Sequence, residues 1–423
     1  MASKDTIAVG HNVRAGLRIA TTWGTAIDCD AAEHANELNW EGIRISSESV
    51  NISAPVLENP SISNNAMQFV GSGAEKRAEG SITFAGPYYQ GMERLFALLM
   101  GEHEDDADGT AAAPQRRGTK SCWYGFFRLR NDMEGIMGSM AIHKDINIGS
   151  AADQTDSTMW EYETFKVDTF NLSWAGGNSP VTFEFGLVCS DINIADQTDA
   201  NTDDATEFAP GYETNLVLIR PNEFKLYLGN QGDTLNTDTA GNEIDVLSFN
   251  MSMSRGYDRN ISSSLGHLID EPAPAAFTTV TGSFSMNKYN TATAASDPQF
   301  DQYFDSTGTV VNKTEKMLVG EFVSKSVITT SMPYVWGFML PSVMFESMDA
   351  NVAGPGRIAF NVGFRAFEAA TASIVSNVPN STIGMMSNVA AGISSTTPIF
   401  FYQSGADADP LVLQATGARG TGV

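Results

Sequence analysis

Alternation of apolar and polar residues with a period of two dominates the chain. In "PVTFEFGLV" Val181, Phe183, Phe185 and Leu187 fall on one side and Thr182 and Glu184 on the other, which predicts a strand with one wet face. Similar runs, "SVNIS", "GSITF" and "GRIAFNVGF", are separated by clusters of Gly, Asn, Asp, Ser and Pro, the residues that make turns. No regular exchange of strand and helix is visible, so antiparallel sheets are expected.

Helical spacing breaks this background at two places. After "GSITF", Tyr88, Met92, Leu95, Phe96 and Leu99 share one stripe, with Pro87 suited to the first turn and Gly101 to the stop. About 200 residues later Asp297 is a good N-cap, Pro298 takes the first helical position, Phe300, Tyr303 and Phe304 form the stripe, and Gly308 ends it. Each short helix is expected to flank one sheet.

The strands around the helices also match in order. "SVNIS" at 49–53 matches "SFNMS" at 248–252, "SIS" at 61–63 matches "NIS" at 260–262, and "GSITF" from Gly80 matches "GSFSM" from Gly282. Beyond the helix, "VTFEFGLV" from Val181 matches "IAFNVGFR" from Ile358, pairing Gly186 with Gly363. The spacing shrinks by about 25 residues across the helix, which marks 102–121 as an insertion in the first copy, a long mobile loop or hairpin. The expected architecture is mainly β: two tandem antiparallel β-sandwich or half-barrel domains, each with one flanking helix. The first spans 1–195, an acidic linker spans 196–212, the second domain spans 213–370, and a C-terminal extension spans 371–423, where "PIFFYQS" and "PLVLQAT" suggest a hairpin.

Charge narrows the function classes. Asp and Glu outnumber Lys and Arg by 50 to 25, a net charge of −25, which argues against a nucleic-acid-binding groove. Cys29, Cys122 and Cys189 have no ligand spacing and an odd count, so free thiols are expected. The five histidines are scattered, there is no HExxH, GxSxG or phosphate loop, and "GARGTG" precedes no helix. Glu104, Asp106, Asp108 and Gly109 imitate the start of a calcium loop, but Gln115 stands where a bidentate Glu is needed, so a solvated acidic tip is expected. Trp123, Tyr124, Phe126 and Phe127 could form a carbohydrate platform, although at strand spacing they read as core. No cofactor or metal is expected, and the lack of a polar constellation favours a structural or binding protein over an enzyme. The most apolar window, "MPYVWGFMLPSVMF", is too short for a membrane helix and holds Pro341, so it reads as a buried strand pair. The N-terminus lacks the apolar core of a signal peptide, which points to synthesis in the cytoplasm.

The opening "GLRIATTWGTAIDC", with Thr21, Thr22, Gly24 and Thr25 in a "TTxGT" turn, resembles the entry strand of the major tail tube proteins of long-tailed, siphophage-type bacteriophages. The GS-strand and helix of residues 80–100 and the closing "PVTFEFGL" strand resemble that family too. The resemblance covers about 14–190 and again 222–368. It implies β-sandwich domains, six to a ring around a barrel-lined channel, so a duplicated chain would form homotrimeric rings that stack into a virion tail tube. Its implied partners are further copies of itself, other tail proteins at the tube ends, and double-stranded DNA passing an acidic lumen without specific binding. Glu102, Glu104, Asp105, Asp106, Asp108, Arg116 and Arg117, together with the C-terminal extension, become candidates for contacts between stacked rings. A tube of a contractile tail and an adhesive, carbohydrate-binding β-sandwich protein remain as alternatives.

Overall fold

The computed structural model of the 423-residue chain describes residues 13–20, 22–24, 40–53, 56–57, 72–73, 77–105, 122–129, 136–144, 158–195, 210–212, 216–230, 243–258, 270–287, 315–329, 332–351, 358–368 and 399–406. The fold is mainly β. Its principal elements are β1 (Arg14–Ala20), β2 (Arg77–Ala85), α1 (Glu93–Met100), β3 (Gly101–Asp105), β4 (Cys122–Leu129), β5 (Met137–Lys144), β6 (Thr158–Trp174) and β7 (Thr182–Cys189). There follow β8 (Phe224–Asn230), β9 (Val246–Ser254), β10 (Thr279–Asn287), β11 (Lys316–Thr329), β12 (Met332–Asn351), β13 (Ala359–Phe367) and β14 (Phe400–Ala406). Short ladder pieces include Ser47–Glu48, Asn51–Ser53 and Ile192–Ala195.

One large sheet takes in all of these strands, antiparallel apart from a short parallel contact between Gly211–Tyr212 and Glu41–Gly42. Within it, two runs of six neighbours repeat the same order. The first reads 47–53, β2, β7, β6, β5, β1. The second reads β9, β10, β13, β12, β11, β8. The register repeats as well. Ser81 lies opposite Gly186, and Gly186 opposite Thr169; Ser283 lies opposite Gly363, and Gly363 opposite Ser347. A bulge beside this row passes over Asp168 in β6 and Glu346 in β12. A second bulge falls between Gly138 and Met140 in β5, and between Lys316 and Leu318 in β11. Bulges bend a strand and fix its register, so sharing both is a demanding match. Equivalent residues in the two long strands are thus 178 positions apart, as Thr169 and Ser347 are.

The edge strands refine the sequence alignment. Ser49 donates its amide to Ser81, whereas Asn250 lies opposite Ser283, so Asn250 occupies the place of Ser49 and not that of Asn51. A shift of two residues keeps every side chain on its own face, which is why the sequence pattern did not reveal it.

Three sequence expectations need correction. The helix begins at Glu93 with Met92 at its N-cap, so Pro87 and Tyr88 lie before it. The cause is long-range pairing: Tyr89 donates its amide to Val217, Ile219 donates to Pro87, and Tyr88 bridges Leu218, which holds 87–89 extended. Gly101 does end the helix, at φ 83°. Secondly, α1 is buried all round and not only along its apolar stripe, Glu93 and Arg94 included. Thirdly, "MPYVWGFMLPSVMF" is part of one strand, β12, and not a strand pair; Pro341 sits where the ladder to β11 slips between Leu340 and Val343, so its missing N–H disturbs little. Phe300, Tyr303 and Phe304 lie outside the described residues.

Phe96 marks the centre of the core. Its ring packs within 6.2 Å of Phe170, Phe183 and Phe185 from the first run, Phe127 of β4, Trp336 of β12 and Phe401 of β14. A second aromatic group, Phe224, Phe249 and Phe338, packs β9 over β8 and β12.

Candidate functional site

Eight strands present one continuous polar face. Along 47–53, β2, β7 and β6 it carries Ser49, Asn51, Ser53, Glu79, Ser81, Thr83, Thr182, Glu184, Thr169, Asn171 and Ser173. The face then crosses to β9, because Thr169–Trp174 pairs with Phe249–Ser254, and continues over β10, β13 and the end of β12. There it shows Asn250, Ser252, Thr281, Ser283, Ser285, Asn361, Arg365, Ser347 and Asp349. Alternate residues of the same strands, Ile82, Phe183, Phe170, Met253, Phe284 and Val362, are buried beneath.

Side-chain bonds knit this face across strands, one of them in matching places in the two runs. Ser49 Oγ accepts the Ser81 amide at 3.0 Å, and Asn250 Oδ1 accepts the Ser283 amide at 3.0 Å. Asn171 Nδ2 donates to Glu184 at 3.3 Å, and Arg365 meets Glu346 at 2.9 Å. The wall is therefore mostly hydroxyl and amide, with acids in the majority among its charges.

Beneath it, buried polar ties hold the two runs as one body. Arg255, at the end of β9, donates from Nη1 to Leu99 O at 2.8 Å and Met100 O at 3.0 Å, closing the C-terminal carbonyls of α1 with a cation. Gln403 of β14 donates to Glu93 Oε1 at 2.7 Å and to Tyr89 O, while Glu93 also accepts from Gly91 N. β14 itself pairs with β12 on one side and β4 on the other, so it links the β3–β4 pair that follows α1 to the second run. Arg94 pairs with Glu41 at 2.9 Å, and burial lowers its pKa from the usual arginine value. Burial first, and Glu223 second, raises the Tyr89 hydroxyl; burial likewise raises Tyr162 beside Glu48 and Tyr402 beside Glu321. The buried Cys189 thiol is pushed up by the same cause.

The predicted residues divide into those placed and those not. Met92, Leu95, Phe96 and Leu99 belong to or cap α1 and are buried, while Tyr88 stands before it. Glu102, Glu104 and Asp105 lie on β3, which pairs with β4 as a hairpin. Asp106, Asp108, Arg116 and Arg117 lie outside the described residues. Sequence reasoning missed Glu93, Arg94, Arg255 and Gln403, whose long-range partners lie 53 to 314 positions away, as well as the β6–β9 junction. Among the described residues no cluster of His, Cys, Asp or Glu is set to hold a metal, and no helix is long and apolar enough to cross a membrane.

The principal surface feature among the described residues is a polar sheet face that ends in strand edges. A family described as phage tail tube protein matches residues 10–366, so the chain belongs to the phage tail tube proteins. It is a structural component of the virion tail that assembles with itself and with other tail proteins. No curated protein sequence matches it.

Proposed function

We propose that the chain is a duplicated tube protein, with one tube unit in 1–195 and another in 213–370 joined by the 196–212 linker, and that three chains close a pseudo-hexameric ring. The repeated register carries this reading, because two unrelated sheets would share neither the strand order nor both bulge positions. Stacked rings would form the tube of a non-contractile, siphophage-type tail, with the polar face towards the channel. Among the described side chains of that face Glu79, Glu184, Glu346 and Asp349 outnumber Arg365, and the whole chain carries −25. Duplex DNA would meet a wall that repels phosphate and offers no cluster of cations to grip it. The 102–121 insertion and the parts of the 371–423 extension on either side of β14 are the segments proposed to reach the next ring.

Electron microscopy of the purified, concentrated protein tests the reading. Rings of three chains with threefold symmetry and a pseudo-sixfold outline are expected. Rings of six chains, or compact monomers at every concentration, overturn it. A deletion of 106–118 is expected to leave rings but shorten tubes; tubes of ordinary length would remove that loop from stacking.

A further inference from the structure

The junction between the two runs is itself a strand pairing. Thr169 lies opposite Ser254, Phe170 opposite Met253, Asn171 opposite Ser252 and Leu172 opposite Met251. The stretch of β12 equivalent to this part of β6 is Ser347–Asn351, which pairs with β13 on one side. On its other side no strand pairing is found among the described residues. The segment equivalent to β9 is 47–53, which pairs with β2, and its outer side likewise carries no strand pairing among the described residues. Since Ser49 turns its amide to Ser81, alternation turns those of Val50 and Ile52 outward. The Ile52 amide donates to Asn51 Oδ1 at 2.8 Å, a local bond that a partner strand's carbonyl can replace.

We infer that these two edges are the two sides of one interchain seam, in which β12 of one copy pairs antiparallel with 47–53 of the next in the register of the β6–β9 junction. The inference rests on the ring reading above and adds which edges meet and how. Equivalence through the sheet maps Thr169 to Ser347, and Ser254 to Ser53 because Asn250 takes the place of Ser49. The seam then sets Ser347 opposite Ser53, Met348 opposite Ile52, Asp349 opposite Asn51 and Ala350 opposite Val50.

Face and chemistry agree with this register. Met348 is buried and Ile52 packs against the core, as Phe170 and Met253 do at the existing junction, while Asp349 and Asn51 are exposed on the polar face. The geometry also suits closure. Following one row of opposed residues from Ser49 through Ser81, Gly186 and Thr169 leads to Ser254, four positions past Asn250, the counterpart of Ser49. Each four-strand unit thus advances the register by four residues. With ~3.3 Å per residue and ~4.8 Å between strands, the strands tilt by about 35°, inside the range of closed barrels. Eight such strands per chain in a ring of three would enclose a bore about 45 Å wide between backbones.

Cysteine pairs test the seam on the full chain. Asn51 and Asp349 would form a pair without backbone bonds, where Cα atoms lie ~4.5 Å apart, within disulfide reach. Under mild oxidation Asn51→Cys with Asp349→Cys is expected to give covalent dimers and trimers, at least tenfold above either single variant. Ser47→Cys with Asp349→Cys, shifted by four residues, is expected to stay at the background of the single variants. A ladder that stops at trimer supports both seam and ring. A ladder that runs to hexamer keeps the seam and overturns the three-chain ring. Rings visible by microscopy that cross-link through 47 and not 51 overturn the seam alone, and a chain that neither forms rings nor cross-links overturns both.

Discussion

Asp168 and Glu346 occupy the same bulge in the two runs, yet their surroundings differ. Asp168 is 3% exposed; its carbonyl accepts the Arg255 amide at 2.7 Å and its carboxylate the Tyr257 amide at 3.3 Å. Glu346 is nearly half exposed and meets an equally exposed Arg365. The strands that carry them are alike, and what differs is the neighbour. The end of β9 covers the bulge of β6, whereas the bulge of β12 stands beside an edge that no described strand covers. Burial at this position is therefore set by the strand that docks there and not by local sequence. The exposed pair contributes about 0–1 kcal/mol, while a buried carboxylate needs its donors to stay folded.

The largest expected effect asks whether the two runs are one body. Phe96 is fully buried and touches rings from both, so Phe96→Ala should lose about 3–5 kcal/mol of stability through the cavity it leaves. Denaturant unfolding followed by tryptophan fluorescence and by circular dichroism should show one transition, shifted as a whole. Two separated transitions in this variant would mean that the runs fold independently and that the contacts at Phe96 do not couple them.

A smaller effect compares the equivalent glycines. A Cβ on Gly186 would run into Thr169 Oγ1, and one on Gly363 would meet Ser347 Oγ at 2.7 Å. Threonine is stiff at χ1 and serine can turn aside. Gly186→Ala should cost about 1–3 kcal/mol by overpacking, and Gly363→Ala less than about 1 kcal/mol. Adding Thr169→Ser to Gly186→Ala should recover much of the loss in the same melts. Equal costs at both glycines would show that the surrounding sheet, and not the facing side chain, sets the penalty.

The sequence carried the parts of this comparison that depend on neighbours in the chain. Strand alternation, the wet face and the glycine stop at Gly101 were legible because each is encoded within a few residues. The two-residue slip between 47–53 and β9 was invisible, since a period of two is unchanged by an even shift. The start of α1 was misread because strand-like partners at 217–219 capture the backbone of 87–89. Pro341 reads as a strand break in sequence, and only the bulge shared with β6 shows why a strand tolerates it there. The roles of buried Glu93, Arg94 and Arg255 were not legible, because their partners belong to distant segments and come near only in the fold. The candidate assembly edges depend on pairings that join distant segments, which one strand's pattern cannot record.

Glu163 provides the finest test, since it occupies in β6 the place that Pro341 holds in β12. Burial first, and repulsion from Asp191 second, raise its pKa above the usual carboxylate value. A raised carboxyl favours the folded state in full only below the unfolded value of about 4.3, and this contribution is lost as pH rises through the folded value. At neutral pH the ionised group is therefore a mild burden, reduced by its partial exposure to solvent. Glu163→Gln should stabilise the chain at pH 7 by less than about 1 kcal/mol after screening. The gain over the parent should shrink as pH falls towards 4, measured as the difference in melting midpoint across a pH series. A gain of equal size at pH 4 and pH 7 would mean that side-chain shape at this bulge matters and charge does not, which is the one respect in which the proline of the second run and the glutamate of the first would then be alike.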